Sequence, residues 1–300
     1  MRVIFVGSQK IGHACLSEVL KLGYDVVAVF TFKPEPHEKW EISVDNLATG
    51  KGIKLFDESE FDANNIRKLA PDVILVAGYR KIISSEILRI PKHGIVALHA
   101  SLLPKYRGQA PINWAIINGE SKTGITMFFM DEGVDTGDII AQKETPILPD
   151  ETIVEVKERI IKLAVELINE YLPLIEKGNA PRIKQPVAGT YGCRRLPSDS
   201  LIDWNKSAKE IYNLIRACEP TYPAYTYFDT KKLFILKASI YSDQTRYLGT
   251  PGQIGIVFKE DKSALVVTGD GCIKVNLVKE EGGEPVPAST YLKSSKIRLK

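Results

Sequence analysis

A single histidine stands where a side chain could do acid–base chemistry. His99 ends the apolar run 94–98 and closely precedes Ser101-Leu102-Leu103-Pro104, where the chain must leave a sheet. An imidazole accepts and releases protons near neutral pH, so this residue type suits general acid–base catalysis. Open α/β sheets place their chemistry at strand ends, which favours a functional role for His99. The other histidines are expected to be structural or exposed: His13, His37 and His93.

An acidic loop follows a second apolar run, 125–130. It holds Asp131, Glu132, Asp135 and Asp138, together with Gly133 and Gly137. Four carboxylates so close could suggest a metal site, but their spacing does not fit a calcium loop, and we predict no metal. The alternative is a carboxylate that orients a histidine across the sheet. Asp135, between two glycine-flanked turns, is the best placed for that role.

The first half of the chain alternates strand-like and helix-like patterns that would position these groups. Runs that are apolar throughout predict strands buried on both faces, at 3–6, 26–30, 72–76, 95–98 and 125–130. Helical spacing of apolar residues predicts helices at 11–22, 61–69 and 151–177, the last capped by Asp150. The alternation predicts an α/β fold with a Rossmann-like parallel-sheet domain over residues 1–178.

The second half carries different signals. Residues 179–206 lack periodicity and are expected to form a linker. Ser207 and Glu210 form a capping box that opens a helix to about Cys218. Short strand-like runs follow Pro223, with a hairpin turn at 268–271, and they predict a small β-barrel-like (OB-like) domain over residues 207–300.

Composition excludes several classes of protein. The 300 residues carry a net charge of +3, too small an excess to imply nucleic-acid binding by itself. Four scattered cysteines without a CxxC pair indicate neither a zinc site nor a disulfide framework. The start, MRVIFVG, is strand-like rather than a signal peptide, and no run approaches the roughly 18 apolar residues of a membrane span. We therefore expect a cytoplasmic protein without a membrane partner, with a homo-oligomer possible.

One long stretch resembles a known family. The pattern HxSLLPxxRGxxPxxW, followed by GxTxxxMDxGxDTGD, runs from His99 to Asp138 and is similar to the signature of the 10-formyltetrahydrofolate-dependent formyltransferases. The resemblance implies a catalytic trio of Asn, His and Asp, of which the last two match His99 and Asp135. It implies 10-formyltetrahydrofolate as co-substrate. The residues expected to bind it are Lys81, Ile82 and Ile83, with Asp131, Glu132, Gly133, Val134 and Asp135.

The chain departs from that signature at Ala97, which occupies the position of the family's Asn two residues before the histidine. Formyl transfer develops negative charge on an oxygen, and losing one donor to such an oxyanion costs on the order of a hundredfold to a thousandfold in rate. We therefore expect impaired activity. Two interpretations are open, an introduced replacement or a natural variant; the intact surroundings of position 97 favour the first.

The amine that accepts the formyl group is a separate question. The tRNA-directed members resemble one another in a basic, glycine-containing loop, whereas residues 33–41 here are mixed in charge. Residues 191–204 look like the branch that formylates 4-amino sugars linked to nucleotides. A nucleotide-linked amino sugar is therefore the expected acceptor, and nucleic acid is not favoured. Methionyl-tRNA, or binding without catalysis, are the alternatives.

Six residues are candidates for the acceptor site. Arg194 and Arg195 could pair with a diphosphate, since guanidinium groups match phosphate oxygens, or could instead bridge the two domains. The turn from Gly7 to Gly12 could cradle a phosphate at a helix N-terminus or be a tight structural turn. The full set is Gly7, Ser8, Lys10, Arg107, Arg194 and Arg195.

Overall fold

The computed structural model describes residues 1–32, 43–218, 223–243 and 245–300. Its strands are β1 Arg2–Gly7, β2 Asp25–Thr31, β3 Leu55–Asp57, β4 Val73–Ala77, β5 Ile95–His99, β6 Arg107–Gly108, β7 Lys122–Phe129, β8 Ile139–Pro146, β9 Tyr191–Gly192, β10 Tyr225–Phe228, β11 Lys231–Ile240, β12 Ile254–Val257, β13 Ala264–Val267, β14 Cys272–Glu280 and β15 Val286–Pro287. Its α-helices are α1 Gln9–Lys21, α2 Asp45–Gly50, α3 Ala63–Leu69, α4 Ser85–Leu88, α5 Pro111–Ile117, α6 Ile153–Glu176 and α7 Ala208–Cys218.

Seven strands form the first sheet, in the order β3-β2-β1-β4-β5-β7-β8. The first five are parallel, which confirms the Rossmann-like interpretation. The run 125–130 is indeed a strand, but β7 pairs antiparallel with β5, and β8 pairs antiparallel with β7. The sequence did not reveal β8, because this edge strand carries Gln142, Lys143 and Glu144 among its apolar residues.

The apolar strands bury one another as their composition predicts. A core cluster joins side chains from β1, β2, β4 and β5 with Phe128 of β7. Burying a Val, Leu, Ile or Phe side chain fully contributes about 1.5–3 kcal/mol, so this sheet is the main source of stability in its unit. The parallel strands all end at one edge, and that edge holds His99.

The long helix α6 begins later than the sequence suggested. Thr152, not Asp150, caps it: the Thr152 hydroxyl accepts from the amide of Val154 at 3.3 Å, and Glu155 accepts from the Thr152 amide at 3.0 Å. The side chain of Asp150 instead accepts a 3.4 Å hydrogen bond from the Tyr212 hydroxyl. The reciprocal bonds of a Thr-x-x-Glu box satisfy amides at the helix start, which explains why the helix starts here.

The second sheet is antiparallel, in the order β10-β11-β14-β13-β12, with β15 beside β14. Its path runs from β10 at one end to β12 at the other, so it is a half-barrel around the core of its unit. The predicted capping box is confirmed, since Ser207 and Glu210 exchange bonds of 3.0 and 3.2 Å. The predicted hairpin turn lies between β13 and β14, where the Thr268 amide donates to Gly271 at 2.9 Å.

The chain folds into two compact units. One comprises Met1–Pro111, Lys122–Pro146 and Val156–Arg194, and the other Ile112–Ser121, Ile147–Glu155 and Arg195–Lys300. The expected linker, 179–206, therefore belongs to the first unit up to Arg194 and to the second from Arg195. In the described ranges, no helix combines the length and apolarity that crossing a bilayer requires.

Candidate active site

The pair predicted from sequence, His99 and Asp135, lies together at the end of β5. The Nδ1 atom of His99 is 3.4 Å from Oδ2 of Asp135, and the two side chains are only 11% and 18% exposed. The other ring nitrogen, Nε2, lies 2.7 Å from the carbonyl oxygen of Tyr106. A carbonyl oxygen only accepts, so Nε2 carries a hydrogen, and Nδ1 is the ring nitrogen that faces the carboxylate.

Asp135 is held in place from two sides. Its Oδ2 accepts a 2.7 Å hydrogen bond from the amide of Gly108, and its carbonyl accepts one of 2.9 Å from Nε2 of Gln185. Its backbone φ is 54°, in the left-handed region that a non-glycine residue seldom adopts. Such a conformation persists where surrounding contacts impose it, and these two contacts join three distant parts of the chain.

A short strap holds the loop that follows His99. We use this name for the two-residue parallel pair β6–β9, in which Arg107 pairs with Tyr191 and Gly108 with Gly192. The Tyr106 amide also donates to the hydroxyl of Thr190 at 2.8 Å. A Cβ on Gly108 would come within 2.7 Å of the Gly192 carbonyl oxygen, so the close approach requires glycine. The strap thereby fixes Tyr106, whose carbonyl holds His99.

The start of the same loop is anchored by Thr126, which lies opposite His99 on β7. Its fully buried hydroxyl donates to the Ser101 carbonyl at 2.6 Å and accepts from the Leu103 amide at 3.1 Å and from Gln142 at 2.9 Å. Sequence reasoning missed Thr126 and Gln142, as it missed Tyr106 and Gln185. Their roles depend on contacts between segments that are distant in the sequence. The only sequence signal for them was the presence of polar residues within otherwise apolar strands.

Ala97 lies on β5, two residues before His99, and therefore on the same face of the strand. It is 6% exposed and belongs to an apolar cluster that includes Ile83, Leu103 and Phe128. A methyl group at this position offers neither a donor nor an acceptor to a reacting group.

The residues expected to bind the folate lie in two loops. Lys81 pairs with Glu58 at 2.9 Å, Ile82 is 79% exposed, and Ile83 packs into the apolar cluster of Ala97. Burial, and secondarily the Glu58 charge, raise the pKa of neighbouring Tyr79 to about 12, so its hydroxyl stays protonated. A flat pteridine needs apolar contact on its faces and polar groups at its edge, and exposed Ile82 beside these polar groups fits that need.

The second loop follows β7. Asp131 accepts from the Gly133 amide at 3.0 Å and from the Thr136 hydroxyl at 2.7 Å, while Glu132 pairs with Arg89 at 2.9 Å. Val134, 43% exposed, is the apolar member of this loop. Asp131 therefore shapes the turn, while Glu132 and Asp138 pair with the distant residues Arg89 and Arg182. Among the described residues, no group of three or more His, Cys, Asp and Glu side chains is arranged to hold a metal ion.

The glycine turn after β1 has a structural requirement of its own. A Cβ on Gly7 would lie 1.9 Å from the carbonyl oxygen of Ala77, so glycine is needed for β1 and β4 to pack here. Ser8 is buried, and its side chain makes no capping hydrogen bond to α1. Lys10 pairs with Glu158 of α6. These contacts favour the tight structural turn over a phosphate cradle.

Two of the three arginines expected to bind the acceptor are buried and donate hydrogen bonds within the protein. Arg107 is 2% exposed and donates to Gln185 at 2.9 Å and to the Pro186 carbonyl at 3.0 Å. Arg195 is 5% exposed and donates to the Ser200 hydroxyl at 3.0 Å. Burial removes both guanidinium groups from solvent, which favours structural roles for Arg107 and Arg195, and acceptor binding by them stays a prediction. Arg194 is exposed.

Comparison with known proteins agrees with this geometry. The family model for formyl transferase matches residues 1–172, and that for the formyl transferase C-terminal domain matches residues 196–296. The chain belongs to the formyltransferase family. It is a formyltransferase with 10-formyltetrahydrofolate as formyl donor, since that compound is the co-substrate of the family.

Two full-length relatives are methionyl-tRNA formyltransferases. That of Pelotomaculum thermopropionicum is 38% identical, covering 98% of this chain and 96% of its own, and that of Alkaliphilus metalliredigens is 37% identical, covering 99% and 96%. A solved N-formyltransferase from Helicobacter canadensis, in complex with folinic acid and dTDP-3-aminofucose, superposes with a TM-score of 0.72. It is 22% identical and covers 91% of this chain and 98% of its own, a similarity that concerns the fold. The mixed-charge segment 33–41 lies outside the described residues.

Proposed function

We propose that His99 and Asp135 deprotonate the amine that receives the formyl group. The observation that carries this proposal is the position of His99 Nδ1, 3.4 Å from the Asp135 carboxylate, in a ring whose Nε2 lies 2.7 Å from the Tyr106 carbonyl oxygen. In the neutral ring with its hydrogen on Nε2, Nδ1 and the carboxylate are neighbouring acceptors, and an amine beside them can donate one N–H group to each. A proton taken up at Nδ1 gives an imidazolium ion that the neighbouring carboxylate stabilises.

The folate co-substrate supplies the formyl carbon that the amine nitrogen attacks. The bond from that carbon to N10 of the folate then breaks, and the proton taken from the amine passes to N10, which gives the formylated amine and tetrahydrofolate. In this chain position 97 offers no donor to the oxygen of that group, so the protein orients the amine and moves its proton without stabilising the oxyanion there. Proton transfer and positioning remain, and catalysis is weak rather than lost.

The test uses the Ala97→Asn protein, because its expected higher turnover makes a loss of rate measurable. His99→Ala and Asp135→Asn in that background should each reduce formyl transfer at least a hundredfold, and the double variant should be little worse than either, because the two residues act as one unit. His93→Ala, another histidine of the same unit, is the matched control and should retain full rate. Near-full activity of either single variant would remove that residue from the proposal.

For the acceptor, we propose the amine of a nucleotide-linked amino sugar. The support is residues 191–204, which resemble the sugar-nucleotide branch, and the exposed Arg194, which follows the strap by two residues. The strap contacts Asp135 through the Gly108 amide, and a guanidinium group such as that of Arg194, close to the strap in the chain, matches the oxygens of a diphosphate.

Methionyl-tRNA is the second candidate, and a specific observation favours it. Relatives that are 37–38% identical along the whole chain are methionyl-tRNA formyltransferases. The two acceptors share a primary amine and differ in everything that must be recognised around it.

Release of tetrahydrofolate, measured with amino-sugar nucleotides and with charged initiator tRNA, decides between the acceptors. We expect turnover with a 4-amino sugar nucleotide and a loss on Arg194→Ala, with the exposed Lys184→Ala as control. Faster turnover with tRNA, falling steeply with salt as phosphate contacts require, would select the second candidate. Folate binding without turnover for every acceptor, even with Asn at position 97, would indicate a binding protein.

A further inference from the structure

An aromatic ring stands exposed on the strap that supports the catalytic pair. The side chain of Tyr191 is 57% exposed although its backbone is paired within β9. Its neighbours fix its position closely: the Thr190 carbonyl accepts from the Arg107 amide at 2.8 Å, and the Gly192 carbonyl accepts from the Gln109 amide at 2.9 Å. A large ring held this rigidly loses little conformational freedom when something binds to it.

The ring is also backed by a buried cation. The guanidinium of Arg107 lies over the ring, 5.6 Å from its centroid, and donates to the Tyr191 hydroxyl at 3.4 Å. Arg107 is itself 2% exposed and fixed by Gln185. A ring with a cation on one side and more than half of its side chain accessible is a platform for a flat π system, since stacking is sequence-tolerant and needs only such a surface.

Two exposed basic residues lie close to the strap in the chain. Lys105 is two residues before Arg107, and Arg194 is two residues after Gly192. An exposed aromatic ring with basic residues nearby in the chain matches the chemistry of a nucleotide, whose base stacks and whose phosphates pair with Lys and Arg.

We propose that Tyr191 stacks on the base of the nucleotide that the acceptor carries, and so determines which amines reach His99. This inference rests on the proposed function, and it holds for either acceptor, because an amino-sugar nucleotide and the 3′ end of a charged tRNA both attach the amine to a nucleotide. Stacking on Tyr191 acts far from the reacting atoms, so it lowers KM more than it changes kcat.

Calorimetric titration tests the platform without requiring turnover. The probes are uridine 5′-diphosphate for the sugar nucleotide, adenosine 5′-monophosphate for the end of tRNA, and ribose 5-phosphate, which has no base. Tyr191→Ala should weaken binding of the preferred nucleotide roughly tenfold to a hundredfold, the range of one aromatic stack, and leave ribose 5-phosphate unchanged. Tyr191→Phe, which keeps the ring, should stay within about threefold of the parent.

Val187→Ala is the control, because Val187 is 99% exposed on the same segment. Unchanged affinity for 5-formyltetrahydrofolate in each variant verifies that the unit is folded. Equal weakening of the nucleotide and of ribose 5-phosphate, no effect of Tyr191→Ala, or no nucleotide binding by the parent would each overturn the inference. If Tyr191-dependent binding is found while no amine is formylated by the Ala97→Asn protein, the inference stands and the proposed function fails.

Discussion

Position 97 is where we expect a single side chain to change the rate of formyl transfer most. Ala97 shares a strand face with His99, yet it is packed among Ile83, Leu103 and Phe128. A polar side chain here would be buried, and a buried amide lacking partners destabilises the fold by about 1–3 kcal/mol. Rate and stability therefore respond to this position in opposite directions.

Ala97→Asn should raise formyl transfer by about two to three orders of magnitude, the usual effect of one oxyanion donor, and lower the thermal midpoint. Steady-state kinetics and thermal unfolding measure the two effects. Ala97→Val, which adds volume without a donor, is the control and should give no gain in rate. The prediction is wrong if the Asn protein formylates no acceptor faster than the parent.

At this scale the sequence predicted that His99 and Asp135 lie together, but not the residues that hold them in place. His99 and Asp135 were identifiable because an imidazole at the end of a buried strand and a carboxylate in a glycine-flanked turn both suit proton transfer. The burial of Arg107 could not be predicted from the sequence, because its partners Gln185 and Tyr191 are 78 and 84 residues away along the chain. A charged side chain looks available to a ligand until the segment that covers it is known.

Among the elements, β5, β7 and β8 meet at the hydroxyl of Thr126, which positions the loop that follows His99. Thr126 bonds to Ser101, Leu103 and Gln142, and it is fully buried. The sequence indicated β7 from its apolar run, whereas β8 carries the exposed polar residues Gln142 and Glu144 after its first apolar residues, and the side-chain amide of Gln142 reaches the Thr126 hydroxyl. An edge strand with exposed polar residues does not follow the pattern of a strand buried on both faces.

Thr126→Val should lower the free energy of unfolding by about 2–4 kcal/mol, since the Ser101 carbonyl and the Leu103 amide both lose the hydroxyl as their partner, while Gln142 keeps its bond to the Leu103 carbonyl. It should also reduce formyl transfer in the Ala97→Asn background, because the loop after His99 loses its anchor. Chemical denaturation and kinetics measure both. Thr126→Ser keeps the hydroxyl and should recover most of each loss; equal damage in the two variants would indicate packing rather than hydrogen bonding.

The turn between β12 and β13 gives the half-barrel an acid-sensitive contact. Lys274, 2.5 Å from Asp261, and then the hydroxyl of Ser263 lower the pKa of Asp261 to about 2. A depressed folded-state pKa contributes stability above the unfolded value near 3.8, and this contribution is lost as pH falls towards 2.

Asp261→Asn should therefore flatten the dependence of the unfolding midpoint on pH between about 4 and 2, and the difference from the parent should be largest above pH 4. Because the pair is substantially exposed, the effect should be small and should shrink in high salt. Glu284→Gln, an exposed acid of the same unit, is the control. Identical pH profiles for Asp261→Asn and the parent would contradict the assignment.

For the molecule as a whole, the sequence predicted the two-part α/β organisation and the half-barrel. It did not predict that residues 112–121 and 147–155 group with the second unit, because unit membership depends on contacts rather than on order along the chain. The two loops expected to bind the folate lie wholly in the first unit, so we expect a folate to stabilise that unit directly.

Saturating 5-formyltetrahydrofolate should stabilise the folded chain by about 2.7 kcal/mol at a hundredfold excess over Kd, seen as a rise in the thermal midpoint. Ile82→Asp should reduce that rise, since a carboxylate replaces the exposed apolar contact, while Leu248→Asp, also a highly exposed position but in the other unit, should not. An unchanged rise in Ile82→Asp would place the folate elsewhere.

The strap also limits how this chain can be recombined with its relatives. Its two strands come from segments 84 positions apart, and its second strand ends at Gly192, only two residues before the first unit ends at Arg194. A chimera that exchanged everything after residue 178 would replace Tyr191 and Gly192 and leave Arg107 and Gly108 to pair with foreign backbone. Crossovers after residue 194 should give active hybrids more often. The segment around Tyr191, which we propose faces the acceptor, should therefore be exchanged together with the rest of the first unit.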